Sequence, residues 1–327
     1  MNLADKVNTF GQLMLRRHGE RVHKLALNVG FTCPNRDGTK GLGGCTFCNN
    51  ASFNPQGKRQ PSITEQINAG RKVIARRTRA KKFLAYFQAY TNTYAAVEAL
   101  KPLYDEALAI PDVIGLSIGT RPDCVPDAVL DLLAGYQQQG YEVWLELGLQ
   151  SSFDETLKRV NRGHGFGEYL DAIHRAHARN LQVCTHLIIG LPGETLQHNL
   201  TSLQRVLECG VEGLKLHPLH IVKGTQLARE WHRGEYEPLS LDEYIDTAVQ
   251  MIRATPESVC FHRVTATASK DLLLAPQWCN RKWWVINRMT EALFQGDANV
   301  ASSSAKNTTS ISSADSGMHY GTCLPRR

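Results

Sequence analysis

Short apolar segments alternate with longer amphipathic segments along most of the chain, and this alternation limits the possible folds more than any other feature. The strand-like segments are nearly continuous runs of Val, Ile, Leu and aromatic residues, at 24–30, 83–90, 113–119, 143–150, 183–190 and 214–222. Such runs are typical of strands buried on both faces. Helical patterns separate them, at 62–82, 94–109, 125–139, 167–179, 194–209 and 240–254. This alternation implies β-α-β crossovers and a parallel sheet.

The number of strand–helix units favours an open barrel. A closed eight-stranded α/β barrel typically needs about 250 residues, whereas this chain has six clear units in roughly 230 residues. We therefore predict an α/β fold of the partial, open TIM type, a (β/α)6 barrel with a small C-terminal extension. A doubly wound sheet remains the alternative, because periodicity alone does not distinguish the two architectures.

The pattern changes after residue 255 and sets the predicted domain boundaries. One further strand is expected at 258–266 and a helix at 282–297, followed by a small, polar tail. Such a tail buries too little apolar surface to order itself. The predicted organisation is a lead-in, a core, an extension and a disordered tail, at 1–23, 24–256, 257–297 and 298–327.

Composition excludes some classes of protein. No run of about 18 apolar residues is present, so no membrane span and no membrane partner are expected. The first twenty residues lack a secretory signal, and we expect a cytoplasmic protein whose thiols stay reduced. Nine cysteines in that compartment indicate metal binding or catalysis at a few of them. The net charge of +6 permits an anionic partner without requiring one.

Three of the cysteines lie in one glycine-rich loop directly after the first predicted strand. Cys33, Cys45 and Cys48 form a C-x11-C-x2-C pattern without a histidine. A structural zinc site needs a fourth ligand, which a distant histidine would have to supply. A thioredoxin-like dithiol would use the last two cysteines alone. A four-iron cluster held by three thiolates would leave one iron open for a small molecule.

Polar or glycine-bearing segments follow every predicted strand. Ligands of parallel α/β folds bind at the carboxyl ends of the strands, so these segments predict one shared site. Glu146 and His217 support that site, because a charged or polar side chain within an apolar strand is costly unless it is paired or bound. The segments are the cysteine loop, 88–94, 119–123, 150–151, 190–195 and 217–225.

The combination of loop and strand ends resembles the radical S-adenosylmethionine (SAM) superfamily. The usual signature there is C-x3-C-x2-C, and the longer first gap here is similar to that of the subgroup containing the catalytic subunit of Elongator. The strand ends GTRPD, ELGLQS and GLPGET resemble that subgroup too, over roughly residues 20 to 265. Within it, the whole pattern is similar to an uncharacterised bacterial family of the YhcC type.

The resemblance implies two cofactors, a [4Fe-4S] cluster and SAM, and assigns residues to each. The three cysteines would ligate the cluster. Tyr90 and Asn92 stand where relatives carry a glycine-rich motif for the SAM amino group. Arg121 would pair with the SAM carboxylate, unless it forms a surface pair with Asp123. The remaining implied SAM contacts are Phe47, Glu146, Gln150 and Gly190.

The resemblance also implies a reaction and its partners. The reduced cluster would cleave SAM and start hydrogen abstraction from a substrate, with a flavodoxin-like protein as electron donor. The Elongator likeness favours tRNA as substrate and partner, and the basic segment 71–82 is compatible with RNA, although it also fits a solvated helix face. Two alternatives remain: a radical SAM enzyme acting on a small metabolite, and a non-catalytic RNA-binding module stabilised by zinc. The sequence leaves the oligomeric state unknown.

Overall fold

The computed structural model describes residues 1–49 and 61–308, with side chains up to residue 295. Seven parallel strands form one curled sheet, a half-barrel, in the order β1-β2-β3-β4-β5-β6-β8. These strands are β1 Val22–Leu27, β2 Lys82–Phe87, β3 Val113–Thr120, β4 Glu142–Gln150, β5 Gln182–Ile189, β6 Gly213–Pro218 and β8 Cys260–Arg263. The predicted fold class is confirmed. The sequential strand order rules out the doubly wound alternative, in which the order reverses at a switch point.

Most of the helices cover the outer face of the sheet, whereas the first lies across its open side and the eighth lies against the cysteine loop. The helices are α1 Phe10–His18, α2 Ile63–Thr78, α3 Val97–Leu108, α4 Asp127–Gln138, α5 Asp154–Arg159, α6 Phe166–His177, α7 Leu196–Glu208, α8 Gln226–His232, α9 Leu241–Arg253 and α10 Lys282–Thr308. A capping box begins α2, with Ser62 accepting from the Glu65 amide and Glu65 accepting from the Ser62 amide. No helix in the described part of the chain is long and apolar enough to cross a membrane.

Several boundaries differ from the prediction. The seventh strand, β8, comes from the segment assigned to the C-terminal extension, and β1 begins at Val22, inside the predicted lead-in. A small antiparallel pair, β7 Ile221–Val222 and β9 Leu273–Ala275, was not expected, because such short strands show no periodicity. Helix α10 runs beyond its predicted end into the segment assigned to the tail. The rest of that tail, 309–327, lies outside the described residues.

Helix α1 lies across the open side of the half-barrel. The Phe261 amide of β8 donates to the Asn8 carbonyl at 2.7 Å, and this bond places the start of α1 beside β8. Phe10 and Met14 then enter the barrel and pack on Trp144, which is 0% exposed. Full burial of side chains of this size stabilises the fold by roughly 1.5–3 kcal/mol each. The amino end of the barrel interior is therefore filled, and free space remains towards the carboxyl ends.

Candidate functional site

A cavity lies at the carboxyl ends of the strands, and the cysteine loop forms one of its walls. It extends from the three cysteines into the barrel interior, and its walls come from both the loop and the strand ends. Its lining includes Cys33, Arg36, Cys45, Phe47, Cys48, Tyr86, Gln88, Tyr90, Arg121, Gln150, Arg162, His186, His217, His220 and Arg263. The prediction that the loop and strand ends share one site is thus consistent with the geometry.

Backbone hydrogen bonds hold the cysteine loop against the barrel. The Thr46 amide donates to the Val160 carbonyl at 3.0 Å, and the Thr46 carbonyl accepts from the Leu227 amide at 2.9 Å. Asn161, directly after α5, donates through its side chain to the Gly44 carbonyl at 2.8 Å. The loop is therefore tied to the chain after β4 and to α8, which fixes the cysteines above the sheet.

Three arginines surround the three cysteines. Arg162 Nη1 lies 3.6 Å from Cys45 Sγ, and Arg121 Nη1 lies 3.9 Å from Cys33 Sγ. Arg36 Nη2 donates to the Cys48 carbonyl at 2.5 Å. Burial raises the pKa of the Cys48 thiol, and the Cys45 sulfur nearby raises it further. The cations offset this effect, because positive charge next to a sulfur favours the thiolate form that binds metal.

The spacing of the cysteines fits a cluster better than a single metal ion. Ligands of one tetrahedral zinc, at about 2.3 Å from the metal, would place their sulfurs within about 4 Å of one another. Among the described residues, the only group of three potential ligand atoms within 4.8 Å of one another is Glu146, Cys184 and His186. The three loop cysteines are therefore more widely spaced. Cys33, Cys45 and Cys48 would hold a bulkier iron–sulfur cluster.

The Arg121 side chain makes the pair with Asp123 that was considered as an alternative, but the pair is buried rather than on the surface. Nε and Nη2 bond the two carboxylate oxygens at 2.9 and 3.0 Å. Lys40 Nζ adds a contact to Asp123 at 2.8 Å. Burial would raise the Asp123 pKa, but the Arg121 hydrogen bonds and charge lower it to about 2. Only Nη1 of the guanidinium faces the cavity, towards Cys33.

Phe47, Tyr90 and Gln150 line the cavity, as the prediction requires of SAM contacts. Phe47 packs against an apolar cluster that includes Ile188. Tyr90 and Gln150 both have positive φ, +64° and +82°. The left-handed backbone at Tyr90 is notable because the resemblance implies a glycine-rich motif there, and glycine is the residue that adopts this conformation most easily. This chain keeps the conformation without the glycine.

Asn92 and Gly190 do not line this cavity. Asn92 is 0% exposed and donates to the carbonyls of Phe87 and Gly119 at 3.0 and 2.8 Å, so it joins the ends of β2 and β3. The Gly190 carbonyl accepts from the Tyr236 hydroxyl at 2.6 Å. Both residues lie outside the cavity lining, and their contact with SAM stays a prediction from the resemblance.

Glu146 lies deeper, in a buried ion network at the centre of the barrel. Its carboxylate accepts from Lys24 Nζ at 2.5 Å, Ser117 Oγ at 2.5 Å and His186 Nε2 at 2.8 Å, and it also contacts Lys215 Nζ. Burial would raise the Glu146 pKa, but the two ammonium groups hold it well below its usual range. The carboxylate is already bonded on both oxygens, and it does not line the cavity.

Arg36 and Arg162 are site residues that the sequence reasoning missed. Arg36 was visible as a cation inside the cysteine loop itself. Arg162 stands in the segment NRGHG after β4, and Gly163 in that segment has φ +73°. A Cβ on Gly163 would come within 2.8 Å of Asn35 Oδ1. An arginine beside a glycine that needs this freedom, in the loop between two helices that follow β4, was the available signal.

The basic segment 71–82 lies far from the cavity. It occupies the C-terminal part of α2 and leads into the start of β2, at the amino ends of the strands. The cavity is at the opposite, carboxyl ends. These cations therefore do not contribute to the pocket.

The fold and the cavity together define an α/β half-barrel enzyme, with a three-thiol loop at the carboxyl ends of its strands. Comparison with known proteins identifies the family. The radical SAM superfamily model matches residues 27–206, and the model described as the Radical_SAM C-terminal domain matches residues 211–295. The chain belongs to the radical SAM superfamily, whose enzymes use a [4Fe-4S] cluster and SAM.

Individual relatives agree with this assignment. Protein YhcC of Escherichia coli (strain K12) is 53% identical over 283 residues, which cover 86% of this chain and 91% of that protein. Uncharacterized protein YtqA of Bacillus subtilis (strain 168) is 38% identical over 293 residues, covering 89% and 91%. The archaeal Methanocaldococcus infernus Elp3 has the same fold, with a TM-score of 0.62 at 18% identity, covering 83% of this chain and 63% of that one. The predicted likeness to the YhcC type and the Elongator subgroup is confirmed.

Proposed function

We propose that this enzyme cleaves SAM reductively at a [4Fe-4S] cluster held by Cys33, Cys45 and Cys48, and that it modifies a tRNA nucleoside. The observation that carries the first part is the arrangement of three widely spaced thiols, each near an arginine, at the edge of a cavity that reaches the barrel interior. When bound, the two cofactors supply the electron and the 5′-deoxyadenosyl group with which a hydrogen atom is taken from the substrate.

The residues of the chain have distinct tasks in this proposal. The three arginines offset the negative charge that accumulates on three thiolates and sulfides, and positive charge nearby favours a more reduced cluster. Phe47 offers an aromatic face at the cavity wall, and Gln150 an amide for hydrogen bonding. Helix α1 and the apolar residues around Trp144 fill the amino end of the barrel, and this packing excludes water from that side of the site.

The tRNA part of the proposal is supported by the likeness to the Elongator subgroup and by the positive net charge of +6. A flavodoxin-like protein is the proposed electron donor, and the reducing cytoplasm the proposed compartment. A small metabolite remains the competing substrate class. Salt-sensitive binding of purified tRNA, together with a modified nucleoside missing from a deletion strain, would distinguish tRNA from a metabolite.

The direct test is anaerobic reconstitution with iron and sulfide, followed by dithionite and SAM. We expect about four irons per chain and 5′-deoxyadenosine from the wild type, and neither a stable cluster nor product from Cys45→Ala. Cys209→Ala, at the end of α7 and away from the cavity, is the matched control and should behave as the wild type. One bound zinc and no SAM cleavage would instead support the non-catalytic module.

A further inference from the structure

The deep end of the cavity, below the cysteine loop, holds two side chains, His217 and Arg263, that neither the cluster nor the ion network explains. Four side chains from four different strands reach it: Tyr86 from β2, His186 from β5, His217 from β6 and Arg263 from β8. Three of them are basic or can become so. None of these four side chains takes part in the arginine contacts around the cysteines that were described above.

Arg263 is the unusual member of this group. Its side chain lines the cavity, yet that side chain forms no hydrogen bond or ion pair with any residue that the structure describes. Its electrostatic neighbours include the Lys215 ammonium and the His186 and His217 imidazoles; burial is the main cause that lowers the pKa of each, and the charge of Arg263 adds to it. Glu146 lies nearby, but its oxygens are bonded within the ion network. A half-buried guanidinium without a counter-charge is unfavourable in the unliganded protein.

His217 adds a second unmatched group. Its Nε2 is buried and has no hydrogen-bond partner among the described residues. The His217 ring lies 5.5 Å from the His186 ring, centroid to centroid, along the same wall of the cavity. Buried polar atoms are nearly always bonded, so a missing partner at a cavity wall indicates that a ligand supplies it.

We infer that Arg263 and His217 form a subsite for an oxyanion of the substrate, a carboxylate or a phosphate, at the deep end of the cavity. A guanidinium presents two parallel N–H groups that match two oxygens of such an anion, and a neighbouring imidazole can bond a third position. The inference rests on the proposed function for its statement that the ligand is the substrate. It adds that this substrate is anionic where it enters the barrel.

The test measures oxyanion binding by the reconstituted full chain, independently of turnover. Inorganic phosphate and acetate are titrated by calorimetry in separate series, with and without saturating SAM, at constant ionic strength set with chloride. We expect binding by the wild type, and at least about tenfold weaker binding by Arg263→Gln, the loss expected for one charge-assisted hydrogen bond. His217→Phe should weaken binding too. Arg233→Gln, an exposed arginine paired with Glu235, is the matched control and should bind as the wild type.

Thermal unfolding without ligand shows whether weaker binding by a variant is caused by loss of the folded state. Because Arg263 has no partner to lose, Arg263→Gln should unfold at the same temperature as the wild type or higher. The inference is overturned if the wild type binds neither probe, if Arg263→Gln binds them unchanged, or if saturating SAM abolishes binding. The last result would assign the subsite to the SAM carboxylate.

The same preparations separate the two proposals. If the wild type yields no 5′-deoxyadenosine but binds phosphate through Arg263, the proposed function fails and the oxyanion subsite stands. If the wild type yields product while Arg263→Gln binds both probes normally, the subsite fails and the proposed function stands.

Discussion

Replacing Glu146 by glutamine should destabilise the protein strongly, because it removes the carboxylate that Lys24 and Lys215 share. The Glu146 side chain is 0% exposed, and the Lys24 and Lys215 side chains are only 14% and 3% exposed, so neither ammonium group gains water when its partner is lost. Removing one member of a buried ion pair typically costs about 3–5 kcal/mol. Because two lysines share the Glu146 carboxylate, we expect Glu146→Gln to lower the free energy of unfolding by at least this amount.

The size of the effect can be expressed as a melting temperature. An unfolding entropy of about 2.1 cal/mol/K per residue gives roughly 0.7 kcal/mol/K for a chain of 327 residues. A loss of about 4 kcal/mol then lowers Tm by about 6 °C. Calorimetry of wild type, Glu146→Gln and the exposed control Glu257→Gln measures this. A Glu146→Gln shift no larger than that of the control would refute the idea that this carboxylate holds the barrel interior together.

A double-variant cycle tests the physical cause. If the cost arises from unpaired ammonium groups, adding Lys215→Met to Glu146→Gln should recover part of the lost stability, although Lys215→Met alone is destabilising. Simple additivity of the two losses would show that packing, and not charge, sets the cost. The pH dependence has a defined sign as well. The lysines hold the Glu146 pKa well below its ordinary 4.5, so its contribution is present above that pH and is lost as the pH falls below it.

Three further predictions concern the cysteine loop and the cavity. Arg162→Gln removes a cation 3.6 Å from the sulfur of Cys45, a proposed cluster ligand, and a redox titration followed by EPR should show a lower midpoint potential of the reconstituted cluster. Gly44→Ala should reduce cluster content more than Gly43→Ala: both glycines have φ near +80°, but a Cβ at Gly44 would come within 2.8 Å of Arg36 Nε, whereas one at Gly43 meets nothing within 4 Å. Burial lowers the pKa of His220 to about 4, so the unfolded chain binds the extra proton below its ordinary 6.5 and stability falls as the pH drops. Between neutral pH and about pH 5, the free energy of unfolding should fall by about 2 kcal/mol less in His220→Gln than in the wild type, as measured by chemical unfolding at both pH values. An equal fall in the two proteins would contradict this assignment.

Most of the sheet could be predicted because its strands are buried on both faces and read as continuous apolar runs. The six strands expected from the sequence are present, each within a few residues of its predicted range. Helix α1 was missed although the sequence carried a helical signal there, an N-cap at Thr9, four apolar residues and a C-cap at Gly19. Its position depends on the gap between β1 and β8. That gap is a property of the whole sheet, and no local pattern in residues 10–18 reports it.

The site was predictable at the rim and not below it. The cysteine loop, Phe47, Tyr90 and Gln150 were found because each directly follows a strand or lies in the loop. Glu146 was placed with them, although it lies four residues before the end of β4 at Gln150. At about 3.3 Å per residue, that is about 13 Å below the rim. The depth of Glu146 along its strand could be counted in the sequence. The sequence could not show which charged side chains of other strands would contact Glu146 across the barrel.

The charges inside the barrel connect its stability to its proposed substrate. Lys24, Lys215 and Arg263 bring three positive charges to the interior. Of these three cations, Glu146 bonds the two lysines and not Arg263. Among the described residues, the Arg263 guanidinium is therefore left unpaired where it lines the cavity. A protein selected for stability alone would replace it with an apolar side chain, since buried charge without a partner is costly. Retaining Arg263 there is reasonable if a bound anion completes the set, so oxyanion binding and stabilisation of the barrel should be one and the same event.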